Sequence, residues 1–133
     1  MTKSSLDLAV QRFKALGHPA RMRLALALRS GELCVCQMIA VLELAASTVS
    51  AHLKELRRAG LLVERKQGRW VFYALSPEGA ILLASVAPEV GLDEQILADS
   101  EVVVRLRGID PEELCRTGSD RVKRERDRSL ERG

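Results

Sequence analysis

The fold of this chain is organised around residues 46–73, ASTVSAHLKELRRAGLLVERKQGRWVFY. The first half of this stretch predicts a helix, because Val49, Leu53 and Leu56 recur at helical spacing and form one apolar face. Gly60 is predicted to end the helix, since glycine readily adopts the left-handed conformation found just past a helix end. The apolar residues that follow predict the start of a strand.

A basic hairpin is predicted after this helix. Gln67-Gly68 is predicted as a two-residue turn between residues 64–66 and residues 69–73, with the glycine supplying a positive φ angle. A helix followed by a basic hairpin is the outline of a winged helix-turn-helix. The predicted fold class is therefore mainly α with a small β-hairpin.

The positive charge of the chain is concentrated in the same stretch. Residues 46–69 contain six basic and two acidic side chains, an excess of four positive charges, whereas the whole chain carries +3. The remainder of the chain is therefore about −1. Charge alone also fits a solvated basic surface, but together with this order of elements it favours a polyanionic partner such as DNA.

Length and composition limit the class of protein. With 133 residues and 47% hydrophobic content the chain can bury one core, and 3% aromatic residues argue against a β-sandwich or barrel. No run reaches the length of a membrane span and the N-terminus lacks the apolar core of a signal peptide, so a cytoplasmic location is expected. Three cysteines are too few for a secreted disulfide framework, and reduced thiols are expected.

Helices are also predicted on both sides of the central stretch. The first runs from Leu6 to Leu16, and its apolar stripe, which includes Val10 and Phe13, fits core packing, a subunit contact or both. The others are predicted over residues 19–30, 35–41, 77–87 and 93–107, with a last turn or two from residue 110. Residues 1–108 are thus predicted to form the winged helix-turn-helix domain with N- and C-terminal dimerisation helices, and residues 109–133 a C-terminal extension whose tail, 121–133, is disordered.

Three sequence motifs resemble the ArsR/SmtB family of metal-responsive winged-helix repressors, which act as homodimers. The motifs are LGHPAR at residues 16–21, STVSAHL at residues 47–53 and GRWVFY at residues 68–73. The resemblance extends from Phe13 to Pro77, about half of the chain. It implies a homodimer that binds an inverted-repeat operator in double-stranded DNA.

Within that family, the segment ELCVC at residues 32–36 resembles the arsenite-sensing subgroup, in which paired cysteines at the start of the third helix bind As(III) or Sb(III). The resemblance implies a repressor of arsenic-resistance genes that leaves its operator when the metalloid binds Cys34 and Cys36. The chemistry agrees, because a helix N-terminus favours thiolate and thiolates are the ligands that soft metalloids select. Residues i and i+2 of a helix lie roughly 200° apart, so both sulfurs can face one ion only if the helix start is distorted.

The identity of the third sulfur ligand is open at the level of the sequence. The most similar arsenite sensors carry a third cysteine three residues after the second, and here that position is Ile39. Cys115 could fold back from the same or the other subunit, or the site could use two thiolates and bind a monomethylated arsenical or a cellular thiol as well. Considered alone, Cys115 better fits a small buried apolar residue.

Other metals are weaker candidates. Zinc sites need four ligands, whereas the chain has only His18 and His52 as histidines, and residues 76–108 contain none. A cadmium or lead site built on N-terminal cysteines is unsupported, since no cysteine precedes Cys34.

The predicted DNA contacts lie on the central helix and the hairpin. In the helix they are Ser47, Thr48, Ser50, Ala51, His52 and Lys54, and in the hairpin Arg65, Lys66, Gln67 and Arg69. His52 fits a base contact and a half-buried structural role equally well. Trp70 and Phe72 share one strand face and are predicted to pack within the protein.

Two other functions compare differently with the sequence. A winged-helix repressor whose cysteines sense oxidants or another thiophilic metal is the alternative function. An enzyme with a reactive cysteine is disfavoured, because no nucleophile, base and orienting acid are readable together.

Overall fold

The computed structural model describes residues 4–117. Its elements are α1 (Ser5–Leu16), α2 (Pro19–Ala27), a 3₁₀ turn (Leu28–Ser30), β1 (Leu33–Cys34), α3 (Val35–Leu42), α4 (Ala46–Arg58), β2 (Leu62–Gln67), β3 (Trp70–Leu75), α5 (Pro77–Val90), α6 (Glu94–Leu106) and α7 (Pro111–Thr117). The fold is mainly helical with a small β-hairpin, as the sequence predicts, and β1 extends this hairpin to a three-stranded sheet.

Side-chain caps set the starts of four helices. Ser4, His18, Ser76 and Asp93 each accept a hydrogen bond from a backbone N–H in the first turn of α1, α2, α5 and α6 respectively. These bonds satisfy donors that have no partner within the helix. The predicted starts of all four helices are confirmed to within a residue.

The helix-turn-helix consists of α3 and α4, whose axes are bent by 110° relative to each other. Glu43 lies in the turn between them with a left-handed φ of 56°. The predicted apolar face of α4 is confirmed, because Val49, Leu53 and Leu56 are at most 1% exposed. They join Leu24, Met38 and the other buried side chains in a single hydrophobic cluster, so the opposite face of α4 is left to the solvent.

The sheet has three antiparallel strands in the order β1-β3-β2. Gln67 pairs with Trp70, so the two turn residues are Gly68 and Arg69. The predicted turn at Gln67-Gly68 was wrong by one residue, because β2 continues through Gln67 before the chain reverses. Gly68 occupies the first turn position with a φ of 60°, which a residue with a side chain rarely adopts.

Strand β1 was not predicted. Its two residues, Leu33 and Cys34, pair with Tyr73 and Phe72 of β3. Two residues are too few to show a strand periodicity, so only the partner strand reveals them. The pairing connects Cys34 directly to the hairpin of β2 and β3, which forms the wing of the fold.

The C-terminal helices α6 and α7 pack on the helix-turn-helix. Arg23 of α2 donates two hydrogen bonds of 2.9 Å to the carboxylate of Asp99 on α6, and this ion pair was not predicted. Ile109 and Leu114 are buried, so the start of the C-terminal extension contributes to the core. The predicted disordered tail, 121–133, lies outside the described residues.

The apolar stripe of α1 is not part of the core. Leu6, Val10 and Phe13 are 73%, 43% and 64% exposed, and Ile81 of α5 is 74% exposed. Of the two roles that fit the stripe, core packing within this chain was therefore wrong.

Within residues 4–117 no single helix has the length and apolarity of a membrane span. Helices α3 and α4 have this length and apolarity only when taken together, as a sharply bent pair.

Candidate thiol site and nucleic-acid interface

Cys34 lies at the junction of β1 and α3. It is the N-cap of α3 in extended conformation, and its backbone N–H donates a 2.8 Å hydrogen bond to the side-chain oxygen of Gln37. This is the predicted return bond of a capping box. The Cys34 side chain is 1% exposed and its thiol is free. Because Cys34 is the N-cap and precedes the helix, the two cysteines do not have to share a helix face. Distortion of the helix start on metalloid binding stays a prediction.

Cys36 is joined to Cys115 by a disulfide. The two residues are 79 positions apart and their Cα atoms are separated by 5.6 Å. The expectation of reduced thiols was therefore wrong for two of the three cysteines. The physical reason is tertiary, because α7 packs against α3 and brings its cysteine to the first turn of that helix. Of the sources considered for a third sulfur, the structure brings Cys115 of the same protomer to Cys36.

All three cysteines line one cavity of about 570 Å³. The cavity lies between the start of α3, the wing and α7, and its lining consists of Cys34, Val35, Cys36, Arg69, Trp70, Val71, Glu112, Cys115 and Arg116. A cavity with three sulfurs and an aromatic wall suits a soft, thiophilic ligand. With the disulfide closed, no cluster of three or more His, Cys, Asp or Glu side chains is arranged to hold a metal ion in residues 4–117.

The predicted DNA contacts on α4 lie on its solvent side. Ser47, Thr48, Ser50, Ala51 and Lys54 are all exposed. Short hydroxyl and methyl groups on an exposed helix face can approach base edges closely, and the lysine can reach phosphate. The arrangement is therefore compatible with insertion of α4 into a major groove.

His52 has a different environment from its neighbours on α4. It is half-buried, and its ring centroid lies 4.5 Å from that of His18, the residue that caps α2. Burial lowers the pKa of His52, and the nearby His18 and Arg21 lower it further. Of its two possible roles, the structural one is supported by this packing.

The four predicted wing contacts, Arg65, Lys66, Gln67 and Arg69, are all exposed. Two of them are paired with carboxylates that sequence reasoning missed. Arg65 donates to both carboxylate oxygens of Glu32, its Nε lying 3.1 Å from Oε2, and this hydrogen bond holds the pKa of Glu32 below its ordinary value. Arg69 Nη2 lies 3.1 Å from Oε1 of Glu112.

Phe72 and Trp70 of the hairpin are half-buried, and each lies beside an arginine. The guanidinium of Arg65 lies 4.6 Å from the ring centroid of Phe72, and that of Arg69 lies 5.1 Å from the ring centroid of Trp70. These contacts orient both arginines at the edge of the hairpin.

The acidic partners of these arginines, Glu32 and Glu112, are far from them in the sequence. Opposite charges at such a separation give no local signal, so only the tertiary structure identifies the two pairs.

Comparison with known proteins identifies similar regulators. Residues 18–63 match the family described as bacterial regulatory proteins of the arsR family. The chain is 48% identical over 67 residues to the arsenic resistance transcriptional regulator ArsR1 of Pseudomonas putida, covering 50% of this chain and 52% of that protein. It is 42% identical over 92 residues to the arsenical resistance operon repressor of Escherichia coli, covering 68% of this chain and 79% of that one.

A solved structure shows the same fold. HlyU from Vibrio cholerae superposes with a TM-score of 0.61 at 33% sequence identity, over 65% of this chain and 96% of HlyU. The matched region spans about half the length of the Pseudomonas putida relative.

Proposed function

The chain belongs to the ArsR family of bacterial regulatory proteins, and on this premise we propose that it represses arsenic-resistance genes and leaves its operator when trivalent arsenic or antimony binds its cysteines. Two relatives are named for arsenic resistance, which supports the class of regulated genes. Membership of a family of regulatory proteins agrees with the expectation that the chain is not an enzyme.

The observation that carries the proposal is the convergence of all three cysteines on one cavity beside the DNA-reading elements. Cys36 and Cys115 are close enough to bond, and Cys34 lines the same space. When the pair is reduced, As(OH)₃ reacts with thiols one by one. Each reaction forms an S–As bond, breaks an As–O bond and releases one water, while arsenic stays trivalent. Cys36 and Cys115 supply the first two sulfurs, and Cys34 is the candidate for the third.

The DNA-binding part of the proposal rests on the exposed face of α4 and on the wing. A homodimer would present two copies of each to an inverted-repeat operator. The exposed apolar residues Leu6, Val10 and Phe13 of α1 and Ile81 of α5 are the proposed subunit contact, since burial of such side chains stabilises an interface. A cytoplasmic location is part of the same proposal.

The inducer is expected to act by changing the positions of α4 and the wing. Cys36 lies in the first turn of α3, which leads directly into α4, and Cys34 is paired with β3 of the wing. A ligand that displaces these sulfurs can therefore shift both α4 and the wing through residues directly connected to them. Coupling between two such sites is typically worth about 1–3 kcal/mol, which corresponds to a change in operator affinity of about 5- to 150-fold.

The test is fluorescence anisotropy of the reduced protein on its own upstream DNA, titrated with arsenite, monomethylarsenite, antimonite or zinc. Release by the arsenicals and antimonite but not by zinc is expected. Cys36→Ser and Cys115→Ser should bind DNA as the wild type does and lose the response. If Cys34→Ser loses the arsenite response and keeps the monomethylarsenite response, Cys34 is the third ligand. DNA binding that no metalloid affects would refute the proposal that trivalent arsenic or antimony is the inducer.

The disulfide favours one second candidate function, an oxidant-sensing repressor. The Cys36–Cys115 bond is itself the product that such a sensor would form. In that case a mild oxidant would change operator affinity and a thiol reductant would restore it, while arsenite would have no effect on the reduced protein. The two candidates differ in the reagent and share the same cysteine pair.

A further inference from the structure

The helix that carries Cys115 also carries a carboxylate that reaches the wing. Glu112 and Cys115 are three residues apart on α7 and therefore project from the same side of the helix. Cys115 is bonded to Cys36, while Glu112 is paired with Arg69 at the tip of the hairpin. One short helix thus connects the thiol site to a predicted phosphate contact.

The pair between Glu112 and Arg69 is exposed. The two side chains are 67% and 72% exposed, respectively, and such pairs shift an equilibrium by about fivefold at most. A DNA phosphate can therefore displace Glu112 readily when α7 is free to move away. The phosphate competes less well when a covalent bond keeps Glu112 next to Arg69, because the bond keeps the local concentration of the carboxylate high.

Two anchors hold α7 against the rest of the described chain. A helix of seven residues does not persist without tertiary contacts, and the buried Leu114 and the bond from Cys115 are among those of α7. Leu114 is present whatever the state of the sulfurs. Only the link at Cys115 changes with the chemistry of the thiol site.

We propose that Glu112 is the residue that transmits the state of the Cys36–Cys115 pair to the DNA, by competing with phosphate for Arg69. Joining the two sulfurs, through a bridging arsenic or a disulfide, holds Glu112 against Arg69 and removes one phosphate contact per protomer. With both thiols free, Arg69 is available to the DNA. The inference rests on the proposed function in that it assumes operator binding through the wing.

The test measures how DNA affinity depends on salt, with the full chain in three states: reduced, arsenite-loaded and oxidised by diamide. Diamide forms the Cys36–Cys115 bond by taking the two thiol protons and two electrons into its N=N bond, which becomes a hydrazine. Each phosphate contact contributes about 0.9 to the slope of log affinity against log salt. In the wild type we expect both joined states to show a slope smaller by about 0.9 per protomer, and an affinity up to about fivefold lower from this pair alone.

Two variants separate this role from a general effect of charge. In Glu112→Gln the salt slope should be the same in all three states. Glu101→Gln, which makes the same charge change at an exposed position of α6, should behave as the wild type. An equal loss of slope in Glu112→Gln and the wild type would overturn the role of Glu112, even if inducers still release the DNA.

A third variant distinguishes this inference from the proposed function. Arg69→Gln should show the smaller slope already in the reduced state. If it has the wild-type slope there, Arg69 contacts no phosphate and Glu112 has nothing to displace, while repression and induction can still stand. If diamide changes the slope and arsenite does not, the role of Glu112 stands and the metalloid inducer fails. Absence of DNA binding in every state would overturn both.

Discussion

Cys36 in the first turn of α3 and Cys115 on α7 are covalently joined across 79 residues of sequence. The bond fastens the C-terminal helix of the described chain to the entrance of the helix-turn-helix. It also separates the three cysteines into a bonded pair and a buried free thiol, Cys34.

Alkylation should follow this division. In the unreduced native protein we expect a linked pair of peptides containing Cys36 and Cys115, and a Cys34 that reacts slowly because it is 1% exposed. After reduction, Cys36 and Cys115 should react with iodoacetamide well before Cys34. Peptide mapping by mass spectrometry identifies the linked peptides and measures the rate of alkylation at each cysteine. A disulfide that includes Cys34 would contradict the arrangement.

Trp70 should report on ligand binding. It is the only tryptophan of the chain and lines the cavity together with the cysteines. Arsenite added to the reduced protein should therefore change its fluorescence emission, with an endpoint of one arsenic per protomer. Cys36→Ser and Cys115→Ser should remove the change. A full response in both variants would place the ligand elsewhere.

The ion pair between Arg23 and Asp99 should be important for stability. The Asp99 side chain is 4% exposed and that of Arg23 is 21% exposed, so Asp99→Ala leaves a largely buried guanidinium without its carboxylate. A loss of about 3 kcal/mol in the free energy of unfolding is expected, measured by urea denaturation. Replacing both residues, Arg23→Met with Asp99→Leu, should recover much of it. A loss below about 1 kcal/mol for Asp99→Ala would show that the pair is dispensable.

His52 should make stability depend on pH. Its pKa in the folded protein lies below the ordinary value of 6.5, mainly because of burial, so the unfolded chain binds the proton more readily. The contribution of His52 is therefore fully present above pH 6.5 and is lost as the pH falls through the lower folded pKa. In His52→Gln the free energy of unfolding should fall less over this range. Parallel curves for the two proteins would contradict the shift.

Dimerisation should depend on the exposed face of α1. Phe13 is 64% exposed in the protomer, so Phe13→Glu should leave the fold intact and separate the proposed dimer. Sedimentation equilibrium measures the mass, and circular dichroism checks the fold. Val63→Glu, an exposed apolar position on the wing, is the matched control and should remain dimeric. A dimer that persists in Phe13→Glu would place the subunit contact elsewhere.

Local signals in the sequence were sufficient for most of the fold. Serine, aspartate and proline at helix starts, the glycines after helices and the spacing of Val49, Leu53 and Leu56 are short-range features, and the structure follows them. The hairpin was also predictable, but its turn was placed one residue early. Glycine can occupy either turn position, and only the pairing of Gln67 with Trp70 fixes which one it takes.

The site was only partly predictable. The residue types and spacing of Cys34 and Cys36 indicated thiol chemistry on their own, and the exposed residues of α4 and the wing were named from their pattern. Sequence could not decide whether Cys115 belonged to the site, because a contact across 79 residues leaves no periodic trace.

By itself the sequence therefore determined the helices, the basic hairpin and the presence of Cys34 and Cys36 ahead of α4, since each depends on neighbours a few positions away. The tertiary structure alone decided that α7 returns to α3, that Cys115 meets Cys36 and that Glu112 meets Arg69. These outcomes depend on how helices distant in sequence bury their apolar residues, such as Leu114, against a common core.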